Sequence, residues 1–247
     1  MVFRYNKESL EVYEMARIVL VGGGSSSGKS YVTTNVINNI GKENVTRITL
    51  DDYYKDQSSL PFSERVKTNY DHPKAFDWKL LREQVYALKN DQEIDKPVYD
   101  FVEHTRSEKI ERVKPKPIVI VEGIMALVDK KLRDIGDLRV FISASAERRF
   151  LRRMIRDSSE RGRSFDNIVD QYFSTVQPMY NEIIEPSSSY ADLIIKNDGV
   201  KNLAIDVLTC VLMDELNKEN SGTKDDYSST DEFNGDVLRN VFSDRKK

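Results

Sequence analysis

The stretch Gly23-Gly24-Ser25-Ser26-Ser27-Gly28-Lys29-Ser30 decides the fold, because it matches the phosphate-binding loop pattern G-x-x-x-x-G-K-[ST]. The short apolar run 18–21 precedes it and is predicted to be a strand. Apolar residues at helical spacing follow it from Val32 to Ile40, and Gly41 is a favourable helix stop. The motif therefore lies between a strand and a helix, as its mechanism requires, and it predicts a site for a nucleoside triphosphate.

The chemistry of this loop follows from its glycines and from the two residues that close it. Glycines let the backbone fold so that successive N–H groups point at phosphate oxygens, and the helix N-terminus adds a favourable field for an anion. Lys29 is expected to reach the β- and γ-phosphates, and the Ser30 hydroxyl is expected to ligate Mg²⁺. All eight residues from Gly23 to Ser30 are candidates for nucleotide binding.

Composition excludes several classes of protein. The 247 residues carry 38 basic and 41 acidic side chains, a net charge of −3, which argues against an electrostatic binder of nucleic acid or membranes. No apolar run reaches the ~20 residues that a membrane span requires, and residues 1–15 lack the apolar core of a signal peptide. The single cysteine, Cys210, suits a reducing compartment, and its amphipathic surroundings predict a core position. We therefore expect a soluble cytoplasmic protein.

The strongest predicted elements alternate strand and helix, which predicts an α/β fold with a parallel sheet. One helix is expected to follow an Asp77 cap, and Pro178 is expected to kink or split another. Residues 94–113 interrupt the alternation with β-branched and aromatic residues around a polar middle, which predicts an inserted hairpin. The predicted strands are 18–21, 45–50, 118–121, 138–142 and 193–195, and the later helices are 146–159, 164–184 and 202–216.

Domain organisation is predicted from where these elements begin and end. Residues 16–216 carry all of them and are expected to form one domain, preceded by an extension over 1–15. Residues 217–247 are polar and are expected to form a flexible tail. Within that tail, apolar residues from Phe233 to Val241 could form one short amphipathic helix that docks elsewhere.

Two carboxylates follow predicted strands at the edge where a parallel sheet presents its ligand crevice. Asp51 ends the second strand, where it can accept a proton from an attacking hydroxyl and help to hold Mg²⁺. Glu122 ends the strand 118–121 in the position where an acid organises the metal and its waters. The alternatives are a helix cap or solvated turn for Asp51 and an ordinary strand-terminal acid for Glu122.

Arginines are concentrated in residues 148–163. Several recur at helical spacing, and two flank Gly162 in a flexible joint, so that the segment can close over a triphosphate as a helical lid. The alternatives are a solvated basic face and a nucleic-acid patch. Arg148 and Arg152 are expected to be surface or salt-bridge residues. The arginines of the segment are 148, 149, 152, 153, 156, 161 and 163.

The chain resembles the uridine (uridine–cytidine) kinases over about residues 16–216. The loop motif alone does not distinguish this family, but the combination of TNYDHPKAFD, PVYDF…HTR and RD…ERGR does. The stretches that carry the resemblance are GGGSSSGKS, DDYYKDQSSLPFSERVKTNYDHPKAFD, KPVYDFVEHTRSE, IVIVEGI, FLRRMIRDSSERGRS and QYFSTVQPMYNEIIEPSSSYADLII.

The resemblance implies phosphorylation of the 5′-hydroxyl of uridine, and of cytidine, by ATP or GTP with Mg²⁺, as in pyrimidine salvage. It implies a P-loop fold with a five-stranded parallel sheet, a hairpin over the nucleoside and a mobile lid, in a homotetramer. Residue by residue it implies Asp51 as general base; Ser30, Asp51 and Glu122 at the magnesium; Tyr54 and Asp71 in the nucleoside pocket; Tyr99 and His104 on the base; Arg153, Arg163 and Gln171 on the substrate side; and Lys29, Arg156 and Arg161 on the phosphates.

Two other functions stay open at this point. Another small-molecule kinase of the same fold, such as a phosphoribulokinase or pantothenate kinase relative, would lack the aromatic pair Tyr99 and His104. A catalytically silent nucleotide-binding regulator would be consistent with the tail and with the departures from the family pattern. Those departures are Ser26 in the loop and the segments 143–145, 187–189 and 196–201, and they bear on the choice between ATP and GTP.

Overall fold

The computed structural model describes residues 15–199 and 203–221. Five strands form a parallel sheet in the order β2-β5-β1-β6-β7, and two form a separate antiparallel hairpin, where the strands are β1 (Arg17–Gly22), β2 (Val45–Thr49), β3 (Ile94–Asp100), β4 (Thr105–Val113), β5 (Ile118–Glu122), β6 (Leu138–Ser143) and β7 (Leu193–Lys196). This arrangement confirms the predicted α/β fold, the five strands and the inserted hairpin.

The central strands are apolar because they are buried on both faces of the sheet. All five residues of β5 are buried, and β1 is buried from Ile18 to Gly22. The register pairs Glu122 with Val21 on one side and with Thr49 on the other. The carboxyl ends of β1, β2 and β5 therefore meet at Glu122, and the loop after β1 begins beside it.

Helices flank the sheet, and those predicted from apolar spacing are confirmed. The Asp77 carboxylate accepts a hydrogen bond from the backbone N–H of Leu80 at 3.1 Å, which makes it the predicted helix cap. Two helices of four and six residues, near residues 62 and 130, are too short for a periodic signal. The helices are α1 (Lys29–Ile40), α2 (Phe62–Arg65), α3 (Trp78–Lys89), α4 (Lys130–Ile135), α5 (Ala146–Ser159), α6 (Phe165–Gln171), α7 (Gln177–Met179) and α8 (Leu203–Ser221).

The predicted helix over 164–184 is split, as the proline in it suggested. Its α-helical parts α6 and α7 alternate with π-helical turns at Tyr172–Val176 and Tyr180–Ile184. Pro178 has no backbone N–H to donate to the preceding turn, so the regular ladder of hydrogen bonds cannot continue through it.

The hairpin β3–β4 is attached to the sheet through the turn that follows β2. Lys96 of β3 donates to Asp52 at 2.5 Å and forms a 3.1 Å ion pair with Glu111 of β4. Because Asp52 is the neighbour of Asp51, this attachment brings the hairpin to the carboxyl end of β2. A β-bulge between Pro97 and Tyr99 changes the register near the tip.

The C-terminal helix differs from the expectation in two ways. α8 runs to Ser221, past the predicted end at Leu216, because no glycine or proline occurs before Gly222. Cys210 is exposed, so the prediction of a core position was wrong: the cysteine lies on the other side of the helix from the buried Leu208 and Leu212.

The chain divides into two compact units, 1–213 and 214–247. Of the second unit the structure describes only 214–221, as helix, and the predicted short helix from Phe233 to Val241 lies outside the described residues. Among the helices of 15–199 and 203–221, none has the length and apolar character needed to cross a membrane.

Candidate active site

The loop between β1 and α1 is held open by backbone conformations that suit glycine. Gly23 and Gly28 have φ values of 140° and 96°. A Cβ on Gly23 would lie 2.3 Å from the carbonyl oxygen of Ile142, so no side chain fits there. Lys29 Nζ donates to the carbonyl oxygens of Gly23 at 2.9 Å and Gly24 at 2.8 Å, and the ammonium group is thereby fixed beneath the loop.

Burial lowers the pKa of Lys29 to about 8, although Glu122 and Asp51 act in the opposite direction. The buried ammonium group has lost part of its hydration, and two carbonyl oxygens replace only some of the lost water. A bound phosphate would stabilise the charge that burial disfavours.

A cavity of about 990 Å³ opens at the carboxyl ends of the strands, in front of this loop. Gly23, Gly24 and Ser27 do not line it, whereas the other predicted site residues do. Those residues are Ser25, Ser26, Gly28, Lys29, Ser30, Asp51, Tyr54, Asp71, Tyr99, His104, Glu122, Arg153, Arg156, Arg161, Arg163 and Gln171.

Asp51 differs from an ordinary surface acid in the pKa of its carboxyl group. Burial raises its pKa, Asp52 and Glu122 raise it further, and Lys29 and Arg161 act against them. The Tyr54 hydroxyl lies 3.5 Å from Asp51 Oδ1 and donates toward it. The carboxylate thus faces the cavity with a more basic character than an exposed aspartate has.

Glu122 is almost fully buried, and an arginine holds it in place. Arg47 Nε donates to Glu122 Oε1 at 2.8 Å, and Arg47 Nη2 contacts the same oxygen. The second oxygen accepts from the Thr33 hydroxyl at 3.3 Å. The Arg47 contact was not predicted, because the sequence of β2 does not show that β5 will be its neighbour in the sheet.

The site has the ligand chemistry of magnesium but not a closed metal cage. Within the described residues no group of three or more His, Cys, Asp and Glu side chains is placed to hold a metal. Ser30, Asp51 and Glu122 nevertheless line one cavity and offer hard oxygen donors. This set fits Mg²⁺, which is commonly bound by one or two carboxylates together with substrate phosphates.

Aromatic side chains line another part of the cavity, which we call its aromatic end. Tyr54 and Tyr70 pack edge to face with ring centroids 5.0 Å apart, and Tyr54 and Tyr99 do so at 5.2 Å. Tyr70 packs against His104 at 5.6 Å. His104 has a positive φ of 52°, and burial together with Arg163 lowers its pKa, which favours the neutral ring.

A hydrogen-bond network fixes this aromatic group. Tyr99 and Tyr70 are joined hydroxyl to hydroxyl at 3.0 Å, and Gln57 Nε2 donates to the Tyr70 hydroxyl at 2.7 Å. Gln57 Nε2 also donates to the backbone carbonyl of His104 at 3.1 Å. Tyr70 and Gln57 lie in a stretch that carries the family resemblance, but neither was singled out, since their roles depend on contacts with distant residues that the sequence does not show.

The arginine segment 148–163 also contributes to the cavity wall. Arg153 donates to Ser25 Oγ at 3.0 Å and to Gln171 Oε1 at 2.8 Å. Gln171 Oε1 also accepts from Arg163 at 2.6 Å. Nearby, burial raises the pKa of Asp71, although Arg153 acts against this. Arg153 thus ties α5 to the phosphate loop, and Gln171 of α6 joins Arg153 to Arg163.

The expectation that Arg152 is a surface or salt-bridge residue was wrong. Its guanidinium donates to the carbonyl oxygens of Ser27 at 3.3 Å and Asn197 at 2.9 Å, and it lines the cavity. Asn197 donates to the same Ser27 carbonyl at 2.9 Å, so α5 and the end of β7 meet on the phosphate loop. Arg148 is exposed, as expected.

A phosphate loop between strand and helix, an acid at the end of the neighbouring strand and an arginine-rich helix over the loop define the class of P-loop kinase folds. The family model described as "Phosphoribulokinase / Uridine kinase family" matches residues 18–204. The chain belongs to this family.

Named relatives agree with that assignment. A uridine kinase of Geobacillus kaustophilus is 46% identical over 202 residues, which cover 82% of this chain and 96% of the relative. A uridine kinase of Ligilactobacillus salivarius is 46% identical over 201 residues, which cover 81% and 94%. Among solved structures, the phosphoribulokinase from Rhodobacter spheroides has a TM-score of 0.56 at 13% identity, covering 74% of this chain and 71% of that one, which shows the shared fold.

Proposed function

We propose that the protein phosphorylates the 5′-hydroxyl of uridine, and of cytidine, with ATP or GTP as donor and Mg²⁺ as cofactor, in pyrimidine salvage. The observation that carries the proposal is one cavity with a phosphate loop at one end and an aromatic, hydrogen-bonded pocket at the other. The 46% identity to proteins named uridine kinase supports the substrate class. A sugar phosphate would have no use for the aromatic end, which distinguishes this proposal from a phosphoribulokinase activity.

Asp51 is proposed as the general base for the attacking hydroxyl. Its raised pKa and its position in the cavity wall support this role, because a base must be close to the hydroxyl and basic enough to accept its proton. Lys29, Arg156 and Arg161 would stabilise the charge on the transferred phosphoryl group. Ser30, Asp51 and Glu122 would hold Mg²⁺, which neutralises charge on the β- and γ-phosphates when bound.

The nucleoside is proposed to lie across the aromatic end. Tyr99 and His104 would contact the base, since an aromatic face and fixed polar groups are what pyrimidine selection needs. Tyr54 would flank the ribose side, and Asp71 would accept hydrogen bonds from the ribose hydroxyls. Arg153, Arg163 and Gln171, already joined to one another, would complete the substrate side.

The proposal extends to the domain organisation, the oligomeric state and the location of the enzyme. Residues 16–216 would form the catalytic domain, with 1–15 as an extension and 217–247 as a tail. The enzyme would be a homotetramer, as the resemblance to uridine kinases implies. It would act in the cytoplasm on small-molecule nucleosides and nucleotides, without nucleic acid or membrane partners, in keeping with its net charge of −3.

The test is a coupled ADP-release assay with ATP·Mg²⁺ against uridine, cytidine, adenosine, pantothenate and ribulose 5-phosphate. We expect turnover with uridine and cytidine alone. In an Asp51→Asn variant kcat should fall by about 10²- to 10⁴-fold, because the base is lost while the shape of the side chain is kept.

Two results would contradict the proposal. Turnover with pantothenate or ribulose 5-phosphate would assign a different acceptor to the same fold. No turnover with any acceptor, together with measurable ATP binding, would favour the nucleotide-binding regulator. An Asp134→Asn variant is the control, because it removes an exposed carboxylate of α4 that lies outside the cavity wall.

A further inference from the structure

One buried carboxylate of the arginine segment lies outside the cavity wall. Asp157 of α5 is fully buried and is not part of the cavity wall. Four arginines that do line the cavity nevertheless lie within 4 Å of it, namely Arg153, Arg156, Arg161 and Arg163.

The two oxygens of Asp157 face two different pairs of arginines. Oδ1 accepts from Arg156 Nε at 2.8 Å and lies 3.6 Å from Arg161 Nη1. Oδ2 lies 3.4 Å from Arg153 Nε and 3.9 Å from Arg163 Nη1. The first pair is the one proposed for the phosphates, and the second is the one proposed for the substrate side. The carboxylate therefore lies between the arginines proposed for the phosphates and those proposed for the substrate side.

Local structure explains why the four arginines converge. Arg153, Asp157 and Arg161 are spaced four residues apart, so they follow one face of the helix and its C-terminal end. The backbone N–H of Arg163 donates to the Asp157 carbonyl at 3.0 Å, which turns the chain back over the same spot. Both the side chain and the main chain of Asp157 thus fix the path of 161–163.

Electrostatics favours a carboxylate at this position. Four guanidinium groups close together repel one another, and the burial of Arg153 makes that repulsion stronger than it would be in water. One buried negative charge offsets part of it and leaves an excess of positive charge for an anionic ligand. Oδ2 and Arg153 Nε lack a hydrogen-bond partner of good geometry. The interaction between Asp157 and Arg153 is therefore an attraction between charges and not a directional hydrogen bond.

We propose that Asp157 is a positioning residue that places the phosphate-side arginines and the substrate-side arginines relative to each other. The inference rests on the proposed kinase function. Asp157 acts through Arg156 and Arg161 on one oxygen and through Arg153 and Arg163 on the other, and it touches neither substrate itself.

The first experiment compares wild type with Asp157→Asn in kcat, in the KM for uridine and in the Kd for ATP, at a temperature where circular dichroism shows both folded. We expect kcat to fall by about 10- to 100-fold, because the arginines are no longer aligned for the transition state. The Kd for ATP should change by less than about threefold, since the positive charges themselves remain. Asp157→Glu, which restores the carboxylate, should recover part of kcat.

Controls separate the possible outcomes. Asp166→Asn removes an exposed carboxylate from the neighbouring α6 and should leave all three constants unchanged. A folded Asp157→Asn enzyme with wild-type kcat overturns the inference, as does tighter ATP binding with unchanged kcat, which would indicate charge balance alone. Absence of uridine turnover in wild type would instead contradict the proposed function.

A second measurement leaves Asp157 intact, so it does not depend on the stability of that variant. Arg161 is about half exposed, and Arg161→Ala is expected to fold. If Asp157 links the two pairs, this phosphate-side change raises the KM for uridine severalfold as well as lowering kcat. An unchanged KM for uridine would show that the two pairs act independently and would overturn the inference.

Discussion

The phosphate end and the nucleoside end of the cavity are built in opposite ways. At the phosphate end, Lys29 is held by carbonyls only five and six residues away in the sequence. At the nucleoside end, Gln57 bonds to His104 across 47 residues, and Tyr99 bonds to Tyr70 across 29. The first end has a local backbone structure at its centre, to which Arg152, Arg153 and Asn197 add contacts from distant elements. The second end is a network of side chains that only the tertiary fold brings together.

This difference has a functional consequence. Backbone carbonyls and N–H groups cannot be removed by a change of side chain, so the loop depends on a few glycines and on Lys29. The aromatic end depends on several hydroxyl and amide groups, each of which contributes a modest amount. Changes at the two ends should therefore affect different substrates and differ in size.

Among the changes that test this contrast, Lys29→Met is expected to have the largest effect. Removing the ammonium group takes the positive charge from beneath the loop, and we expect kcat/KM for ATP to fall by about 10²- to 10³-fold. Uridine binding, measured by calorimetry in the absence of nucleotide, should be unchanged, because both hydrogen bonds of the lysine go to the phosphate loop and none goes to the aromatic end.

The exposed Lys55 provides the control, since Lys55→Met removes the same charge outside the cavity wall. Loss of uridine affinity in Lys29→Met would show that the two ends are coupled in the absence of nucleotide. The contrast between them would then be incorrect.

The pH dependence of ATP binding tests the charge of the same lysine without a substitution. Its pKa is lowered to about 8, so the ammonium form dominates below that pH and is lost above it. Phosphate affinity should therefore fall as the pH rises, by about tenfold between pH 7 and pH 9 if only the charged form binds. Fluorescence titration with a nucleotide analogue at fixed ionic strength measures it.

Lys29→Arg is the informative comparison, because arginine keeps its charge over this range. Its affinity for ATP should be lower overall but flat with pH. The same fall in the arginine variant would assign the titration to another group.

At the nucleoside end, Tyr70→Phe keeps the ring and removes the hydroxyl that joins Tyr99 and Gln57. The loss of this hydrogen bonding should raise the KM for uridine by about 5- to 10-fold through a less ordered pocket. The KM for ATP should remain the same. Tyr86→Phe, on the exposed face of α3, is the matched control and should change neither constant. Equal effects on both substrates would mean that Tyr70 supports the whole cavity and not one end.

How much of this could be predicted from the sequence follows the same division. The strands, the capped helix after Asp77, the hairpin and the phosphate loop are local patterns, and each was found where it was expected. Arg47 on Glu122 and Arg152 on Ser27 were missed or misjudged, because each contact joins elements that are distant along the chain. Residue types and spacing show which side chains can do chemistry, but not which partners the fold gives them.

The smallest expected effect concerns Ser26 of the phosphate loop. Ser26 has a φ of 59°, a left-handed conformation that costs an L-residue about 1 kcal/mol or more, and its buried hydroxyl has no hydrogen-bond partner. Ser26→Gly removes both costs but loses backbone entropy, so we expect a net gain of about 1 kcal/mol in the free energy of unfolding, measured in urea. Ser26→Ala removes only the hydroxyl and should gain less, which separates the two causes. If Ser26→Gly is more stable and binds ATP as tightly as wild type, the backbone of the loop is sufficient at this position. If it is more stable but binds ATP more weakly, the Ser26 side chain contributes to phosphate binding beside Lys29, and the contrast with the nucleoside end becomes one of degree.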